Sequence, residues 1–318
     1  MFITRYTTPF LIVAVGVVLA ACASLATFGV TFGIDFTGGA LTEVSYEVRP
    51  AKAVVEEALA ARDLGGYSLR ESVNDEGRDA YILRTRHLTE EERQEVAGIL
   101  TVEGGEISRY TSIGPVIGEE LRSKAVWAVG LVALIIVLYV ALVFRGVTKP
   151  VRASVYGLIT VLVLAHDVLV PTALFGALGY FAGAEVDVLF VMAILAVLGY
   201  SVNDTIVVFD RVRENLKLEA TRAAAVVEAG EPYTPVPFSD LVGQSLSQTF
   251  ARSINTSFTT LLAAVALYVV GGEVTQNFAL VLSVGVIAGT YSSLFVAPPL
   301  LVAIERWQRA RAKEDVSI

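Results

Sequence analysis

The chain has 318 residues, a formal net charge of −8 and 54% hydrophobic residues, and its mean hydropathy is +0.64. This hydropathy is too high for an ordinary water-soluble domain and predicts several membrane spans. Cys22 is the only cysteine, which excludes an internal disulfide. Residues 31–120 contain 18 acidic and 9 basic residues, and so acidic a segment argues against a nucleic-acid partner.

Six segments contain the roughly 20 mostly apolar residues that a membrane crossing requires. They are residues 9–30, 123–144, 153–178, 186–209, 255–271 and 277–304. The stretch "LAAC" at 19–22 also resembles a lipoprotein cleavage site, but the apolar run continues to Val30, which favours a full span. The predicted organisation is a first span (1–30), a soluble domain (31–120), five further spans with a cytoplasmic loop at 210–252 (121–304), and a tail (305–318).

Lysine and arginine are concentrated on one side of these spans. They follow spans two, four and six, at Arg145, Lys149, Arg152, Arg211, Arg213, Lys217, Arg222, Arg252, Arg306, Arg309, Arg311 and Lys313. The loops at 179–185 and 272–276 contain neither residue. The positive-inside rule therefore places both termini in the cytoplasm and residues 31–120 outside the cytoplasmic (inner) membrane.

The soluble domain shows the order strand, helix, strand, strand, helix, strand. Alternating apolar and polar residues at 40–48 predict the first strand, and helical spacing of apolar residues at 51–63 predicts the first helix. The stretches "YSLRESV" and "DAYILRTR" predict two strands joined by a turn at "NDEG". Thr89, followed by three glutamates, is expected to cap the second helix. "GGEISRYTSI" supplies the last strand. This order predicts a ferredoxin-like α+β domain, with His87 on its surface and no catalytic pattern.

Two glycine-rich junctions flank this domain. "GIDFTGG" links span one to the first strand, and "IGPVIGEEL" links the last strand to span two. The residues that define the junctions are Asp35, Gly38, Gly39, Gly114 and Pro115. The glycines allow a positive φ, the proline punctuates the second junction, and the aspartate is expected to form an Asx turn. A rigid connector and a hinge use the same residues, and both remain open.

Span four carries a carboxylate inside its apolar run. Asp204 lies in "GYSVNDTIVVFDRVREN" (199–215), about 8 Å from the predicted cytoplasmic end of the span. A charge near mid-bilayer costs about 2.5–3.5 kcal/mol and therefore requires a partner, a neutral state or a function. Ser201 and Asn203 are expected to surround it with hydrogen-bonding groups, whereas Asp210 is expected at the water boundary, marking the helix end.

Span five opens with a polar stripe. Arg252, Asn255, Thr256 and Thr259 recur at helical spacing, and Arg252 begins at about the depth of Asp204. An Asp–Arg pair between the two spans is therefore expected. It would act either as a switch between paired and protonated states or as a permanent salt bridge that locks the two helices together.

Span three contains a second titratable site, His166 and Asp167. Adjacent helical positions differ by about 100°, so one side chain is expected to face the bundle and the other a neighbouring chain. Either residue could belong to a proton relay, or serve as a polar packing residue. In span six, Gly285 and Gly289 form a small-xxx-small pair, which predicts helix packing.

Together, "GIDFTGG", "GPVIGEEL", "SVNDTIVVFDRVREN" and "RSINTS" resemble the SecF subunit family of the bacterial SecD–SecF complex, within the resistance-nodulation-division superfamily. The resemblance covers essentially the whole chain and implies a proton-driven role in Sec-dependent protein export, with Asp204 and Arg252 as the functional intramembrane pair. It also implies a separate SecD chain, the SecYEG translocon, a preprotein in transit, and YajC-type and YidC-type membrane proteins as partners. The segment 216–250 is longer than is usual in that family.

Two other functions remain open from the sequence. One is a small-molecule or lipid exporter of the same superfamily, and the other is a structural partner of SecD or the translocon that carries no protons. An enzyme is disfavoured, because Walker loops, metal-spaced His/Cys clusters and nucleophile elbows are absent; neither a cofactor nor a metal is expected. The coupling ion, H⁺ or Na⁺, also stays open, since a carboxylate with Asn, Ser and Thr neighbours suits both.

Overall fold

The computed structural model describes residues 2–74, 77–102, 104–145 and 150–316. Within these residues, six helices are long and apolar enough to cross a membrane, which confirms the predicted number of spans. Two features of the sequence lie outside the described residues: Asp75 and Glu76 of the predicted "NDEG" turn, and Lys149 of the basic set.

The chain begins with three helices, α1 (Phe2–Arg5), α2 (Thr7–Phe28) and α3 (Ile34–Thr37). The head domain follows, as β1 (Gly39–Tyr46), α4 (Lys52–Ala60), β2 (Ser68–Val73), β3 (Asp79–Thr85), α5 (Glu90–Thr101) and β4 (Glu106–Ile113). The bundle is completed by α6 (Pro115–Val143), α7 (Ala153–Ala182), α8 (Val188–Glu228), α9 (Phe238–Val270), α10 (Glu273–Phe295) and α11 (Ala297–Val316). The end of the bundle that carries the head domain is called the head side, and the other end the terminal side.

The head domain has the predicted ferredoxin-like topology. Its four strands form one antiparallel sheet in the order β2-β3-β1-β4, and Val44, Leu59, Leu83 and Leu100 belong to the core between the sheet and its two helices. Thr89 caps α5 in a capping box, as predicted, because its hydroxyl satisfies a backbone N–H that the first helical turn leaves unpaired. The other face of the sheet is directed at the bundle.

Three helices form the centre of the bundle. Half of the most apolar window of α7 and of α8 is buried, compared with 11% in α2 and 6% in α6. Helix α10 approaches α8 closely, since a Cβ at Gly285 would meet Val197 and one at Gly289 would meet Ser201. The glycine pair predicted for helix packing is therefore confirmed.

The segment at 210–252, predicted as the connection between spans four and five, is mostly helical. Helix α8 runs on to Glu228 and α9 already begins at Phe238. The polar continuation of α8 is rich in Ala, Glu, Leu and Arg, which are strong helix formers. Only the region of Gly230 and the prolines up to Pro237 breaks the helix.

Candidate functional site

Asp204 lies inside the bundle, where α8 packs against α9, and only 4% of its surface is exposed. It is about 24 Å along α8 from Val188 at a rise of about 1.5 Å per residue, within a hydrocarbon core about 30 Å thick. Ser257 Oγ of α9 lies 3.4 Å from Asp204 Oδ2. The Ser253 hydroxyl lies beside the same carboxylate without a well-formed hydrogen bond. Among the described residues, serine hydroxyls and no cation contact this carboxylate.

Ser257 is the centre of a cluster of hydroxyl groups. The hydroxyls of Tyr200 and Thr290 lie 3.0 and 2.6 Å from Ser257 Oγ, and Ser257 Oγ itself lies 2.8 Å from the carbonyl oxygen of Ser253. A hydroxyl has one hydrogen, so Ser257 cannot donate to this carbonyl and to Asp204 at once. Because the carbonyl is the closer acceptor, Ser257 is not a dedicated donor to an ionised Asp204.

Arg252 does not pair with Asp204 in this structure. Its side chain is exposed, and within the described residues it forms no ion pair. The predicted stripe, to which Asn255 and Thr259 belong, also lies on the exposed side of α9. The polar face that meets α8 is instead the neighbouring one, with Ser253 and Ser257. The sequence prediction selected the wrong one of two polar faces, which are separated by a single 100° step.

Asn203 and Ser201, which were expected around Asp204, have other positions. Asn203 is exposed and makes no side-chain hydrogen bond within the described part of the chain, because it lies one residue away from the buried face. Ser201 is buried and donates to Asp167 instead. Asp210 is exposed and lies 3.8 Å from Arg213, but α8 continues past it, so it does not mark a helix end as predicted.

His166 and Asp167 form a second buried cluster. Both side chains lie inside the bundle, 5% and 0% exposed, and His166 Nδ1 lies 2.8 Å from Asp167 Oδ1. Asp167 Oδ2 accepts hydrogen bonds from Ser201 of α8 and Ser292 of α10. The expectation that one of the two side chains faces a neighbouring chain was therefore wrong, because their rotamers bring both groups into the interior. Nε2 of His166 is buried with no partner among the described residues.

The two clusters are connected through α8 and α10. Ser201 is three residues before Asp204, so one turn of α8 separates the two carboxylate sites. Thr205, on the same face of α8, lies 2.9 Å from Ser293, and Ser293 Oγ lies 3.3 Å from the Ser201 carbonyl oxygen. The sequence prediction missed this contribution of α10. The polar run "GTYSS" at 289–293, inside an otherwise apolar span, was the available signal.

The chemistry available in these clusters is exchange of protons and hydrogen bonds among carboxylate, imidazole and hydroxyl groups. In the described part of the chain, no group of three or more His, Cys, Asp and Glu residues is placed to hold a metal ion. Both clusters lie where water is scarce, so the charge state of each carboxylate has a large effect on helix packing.

The two glycine-rich junctions pack against each other on the head side. Gly38 and Gly39 have φ values of 72° and 132°, as predicted for glycine. A Cβ at Gly38 would lie 2.8 Å from Pro115 Cα, so the close approach also requires glycine. Gly114 precedes Pro115, which begins α6. Asp35 does not form the predicted Asx turn, since its Oδ2 accepts a hydrogen bond from the Val188 N–H at 3.0 Å.

Two family models and a relative that aligns over nearly the whole chain identify the same family. Residues 97–307 match the family described as "Protein export membrane protein SecD/SecF, C-terminal", and residues 23–48 match the "SecD/SecF GG Motif". The protein translocase subunit SecF of Thermobaculum terrenum is 35% identical over 316 residues, which cover 95% of this chain and 93% of that relative. The chain belongs to the SecF family.

Members of the SecF family also occur fused to a SecD half. The protein translocase subunit SecDF of Thermus thermophilus is 33% identical over 98% of this chain, which spans 39% of that relative. The crystal structure of SecDF, a translocon-associated membrane protein from the same organism, superposes on 95% of this chain with a TM-score of 0.77 and 31% identity. This chain corresponds to 38% of that fused protein. The SecF-family sequence and the observed fold therefore agree over nearly the whole chain.

Proposed function

We propose that this chain, with a SecD partner, uses the proton-motive force to promote Sec-dependent export of preproteins across the cytoplasmic membrane, alongside or after their passage through SecYEG. The observation that carries the proposal is Asp204, a carboxylate buried at membrane depth among hydroxyl groups, with Arg252 on the adjacent helix α9 but exposed on the outer side of that helix. On the basis of the family resemblance alone, we also propose YajC-type and YidC-type membrane proteins as partners.

The exposed polar residues of α8 and α9 support a SecD chain as the partner. Asn203 and Asn255 lie at about the same depth, roughly 22 Å from the head-side ends of their helices, and Arg252 lies one turn below Asn255. Polar groups at this depth are costly when they face lipid. A second membrane protein that covers this face removes the cost, and in the fused relatives the SecD half is available to do so.

The free energy released when one proton crosses the membrane is comparable to the cost of a charged carboxylate inside it. One charge that crosses 100 mV gains about 2.3 kcal/mol, and each pH unit adds about 1.4 kcal/mol. A charged Asp near the middle of the bilayer costs about 2.5–3.5 kcal/mol on insertion scales. One proton per cycle therefore suffices to alternate between two helix packings that differ by a few kcal/mol.

In the proposed cycle Asp204 alternates between a neutral state and a state paired with Arg252. The observed arrangement, with serine hydroxyls against the carboxylate, suits the neutral state. A rotation of α9 by about 100° would replace Ser253 with Arg252 at the position that faces Asp204, and would compensate the charge after proton release. His166 and Asp167, one turn towards the head side, are proposed as a second proton-coupling site, and Asn203 as part of the partner-covered face.

The test uses proteoliposomes that contain the chain, SecD, SecYEG and SecA, with preprotein export measured with and without a proton gradient. Asp204→Asn and Arg252→Met are expected to abolish the gradient-dependent part of export. Asp210→Asn, a matched carboxylate change on the exposed side of α8, should leave it intact. Normal gradient-dependent export by Asp204→Asn would refute the proposal and favour a purely structural partner. A gradient of Na⁺ imposed at equal pH identifies the coupling ion.

The proposed orientation, with both termini in the cytoplasm and the head domain outside, can be tested by labelling. In a Cys22→Ser background, Gln94→Cys on α5 and Lys217→Cys on α8 place single thiols at exposed positions on the two sides. A membrane-impermeant maleimide should label Gln94→Cys in intact cells and Lys217→Cys only after permeabilisation. The opposite pattern would overturn the proposed orientation.

A further inference from the structure

The loop between α7 and α8 (183–187) is held by the chain segment that enters the head domain. The Gly33 N–H donates to the Val186 carbonyl at 2.9 Å, and the Val186 N–H donates to the Thr31 carbonyl at 2.8 Å. Phe32 and Val186 thereby form a parallel β-bridge. A segment that leaves α2 towards the head domain is thus joined by backbone hydrogen bonds to the loop that precedes α8.

The sheet of the head domain holds the same loop by two arginines. Arg84 of β3 forms an ion pair with Glu185, and Arg70 of β2 donates to the Gly183 carbonyl. Both arginines lie on the sheet face directed at the bundle, since Leu69 and Leu83 beside them point into the head-domain core. Glu185 is nearly buried, with 9% of its side chain exposed, so its contact with Arg84 is better shielded from solvent than an ordinary surface pair.

Two carboxylates accept hydrogen bonds from backbone N–H groups in the first turn of α8. One is Asp187, which directly precedes the helix, and the other is Asp35 of the "GIDFTGG" junction. Asp187 Oδ1 accepts from the Phe190 N–H at 2.7 Å, which is an ordinary N-cap. Asp35 Oδ2 accepts from the Val188 N–H at 3.0 Å, across 153 residues of sequence. Carboxylates are favourable at a helix N-terminus because of the free N–H groups and the helix dipole. Asp35 therefore fastens the "GIDFTGG" junction to α8.

We infer that Asp35 is a positioning residue which, together with the contacts of Arg70 and Arg84 to the 183–187 loop, couples the head domain mechanically to α8, the helix that carries Asp204. An α-helix is stiff over the four and a half turns, about 24 Å, between Val188 and Asp204. Any shift of α8 that accompanies the proposed rotation of the adjacent α9 therefore moves the head domain directly, and not only through the two covalent junctions. The inference rests on the proposed proton-coupling function of Asp204.

The first test is a charge swap between the head domain and the loop. Arg84→Glu and Glu185→Arg should each reduce gradient-dependent export in the SecD-containing proteoliposomes, and the double variant should restore most of it. The exposed pair Arg62–Glu95 on the helical layer of the head domain provides the control, and Arg62→Glu should export normally. Normal export by both single variants, or a double variant as impaired as the singles, would overturn the inference.

The second test separates capping from charge at Asp35, with membrane abundance measured for every variant. The amide oxygen of asparagine can accept the hydrogen bond from the Val188 N–H and alanine cannot, and loss of one such bond typically changes a local equilibrium about five-fold. We expect Asp35→Ala to accelerate hydrogen exchange at Val188 by about that factor and to impair export, whereas Asp35→Asn should stay near wild type in both. Exchange that Asp35→Ala leaves unchanged would contradict the positioning role.

Asp204→Asn distinguishes a failure of the proposed proton-coupling function from a failure of the coupling through the 183–187 loop. It should abolish gradient-dependent export without changing hydrogen exchange at Val188. If Asp204→Asn exports normally, the proposed function itself fails. If Asp204→Asn is impaired while the Asp35→Ala and charge-swap variants export normally, only the coupling through the loop is refuted.

Discussion

The contact between α8 and α10 allows a prediction whose size follows from the structure. A Cβ on Gly289 would lie 2.9 Å from Ser201 Cβ and 3.2 Å from Ser201 Oγ. Carbon atoms in contact are normally about 3.5–4.0 Å apart, so Gly289→Ala must separate the two helices by about 0.6 Å or displace Ser201. Overpacking of this kind typically costs about 1–3 kcal/mol.

The matched control is Gly130→Ala, in α6, where an added Cβ would meet no atom within 4 Å. Both variants gain the same helix propensity, about 1 kcal/mol in exposed helices, so their difference isolates the packing term. In detergent we expect the melting temperature of Gly289→Ala to be about 2–6 °C below that of the control, at about 2 °C per kcal/mol. Because Ser201 donates to Asp167, gradient-dependent export should fall as well. Equal melting temperatures would show that the close helix contact is not stabilising.

Three further predictions concern single side chains. Ser257→Ala should destabilise the bundle by about 1–3 kcal/mol, because it leaves buried hydroxyls unpaired, whereas Thr259→Ala on the exposed face of α9 should be nearly neutral in the same melting experiment; equal effects would contradict the assignment of faces. Thr89→Ala should destabilise the start of α5 by about 1 kcal/mol, seen as faster hydrogen exchange confined to its first turn. The Arg86 side chain and the capping contacts lower the pKa of Glu92 to about 2. The contribution of Glu92 to head-domain stability should therefore be present above about pH 4.5 and lost as the pH falls towards 2. Glu92→Gln should remove this part of the pH dependence of unfolding, and an acid unfolding profile that the variant leaves unchanged would refute the prediction.

The alternation and spacing of apolar residues were sufficient for the spans and for the head domain. The apolar patterns within residues 40–113 predicted the right order of strands and helices, because each pattern is local and is bounded by Gly, Pro or a capping residue. The extension of α8 to Glu228 and the early start of α9 were missed. A polar helix that projects from a bundle has no apolar periodicity, and only its composition indicates it.

The candidate residues were found more readily than their partners. Asp204 and Asp167 are conspicuous because a carboxylate in an apolar run is rare, whatever it contacts. Their contacts come from α9 and α10, through Ser257 and Ser292, which were not among the predicted site residues. Several serines and threonines on each helix are chemically equivalent, so the sequence cannot rank them.

By itself, the sequence determined the membrane class, the six spans, the ferredoxin-like domain and the two intramembrane carboxylates, since each depends on composition or on a repeat within one segment. The tertiary structure decided which face of each helix is buried. It turned Ser253 rather than Arg252 towards Asp204, and it brought Asp35 to the first turn of α8 across 153 residues. Helix rotation and long-range contacts depend on the packing of all neighbouring elements at once, and a one-residue step already changes the face by about 100°.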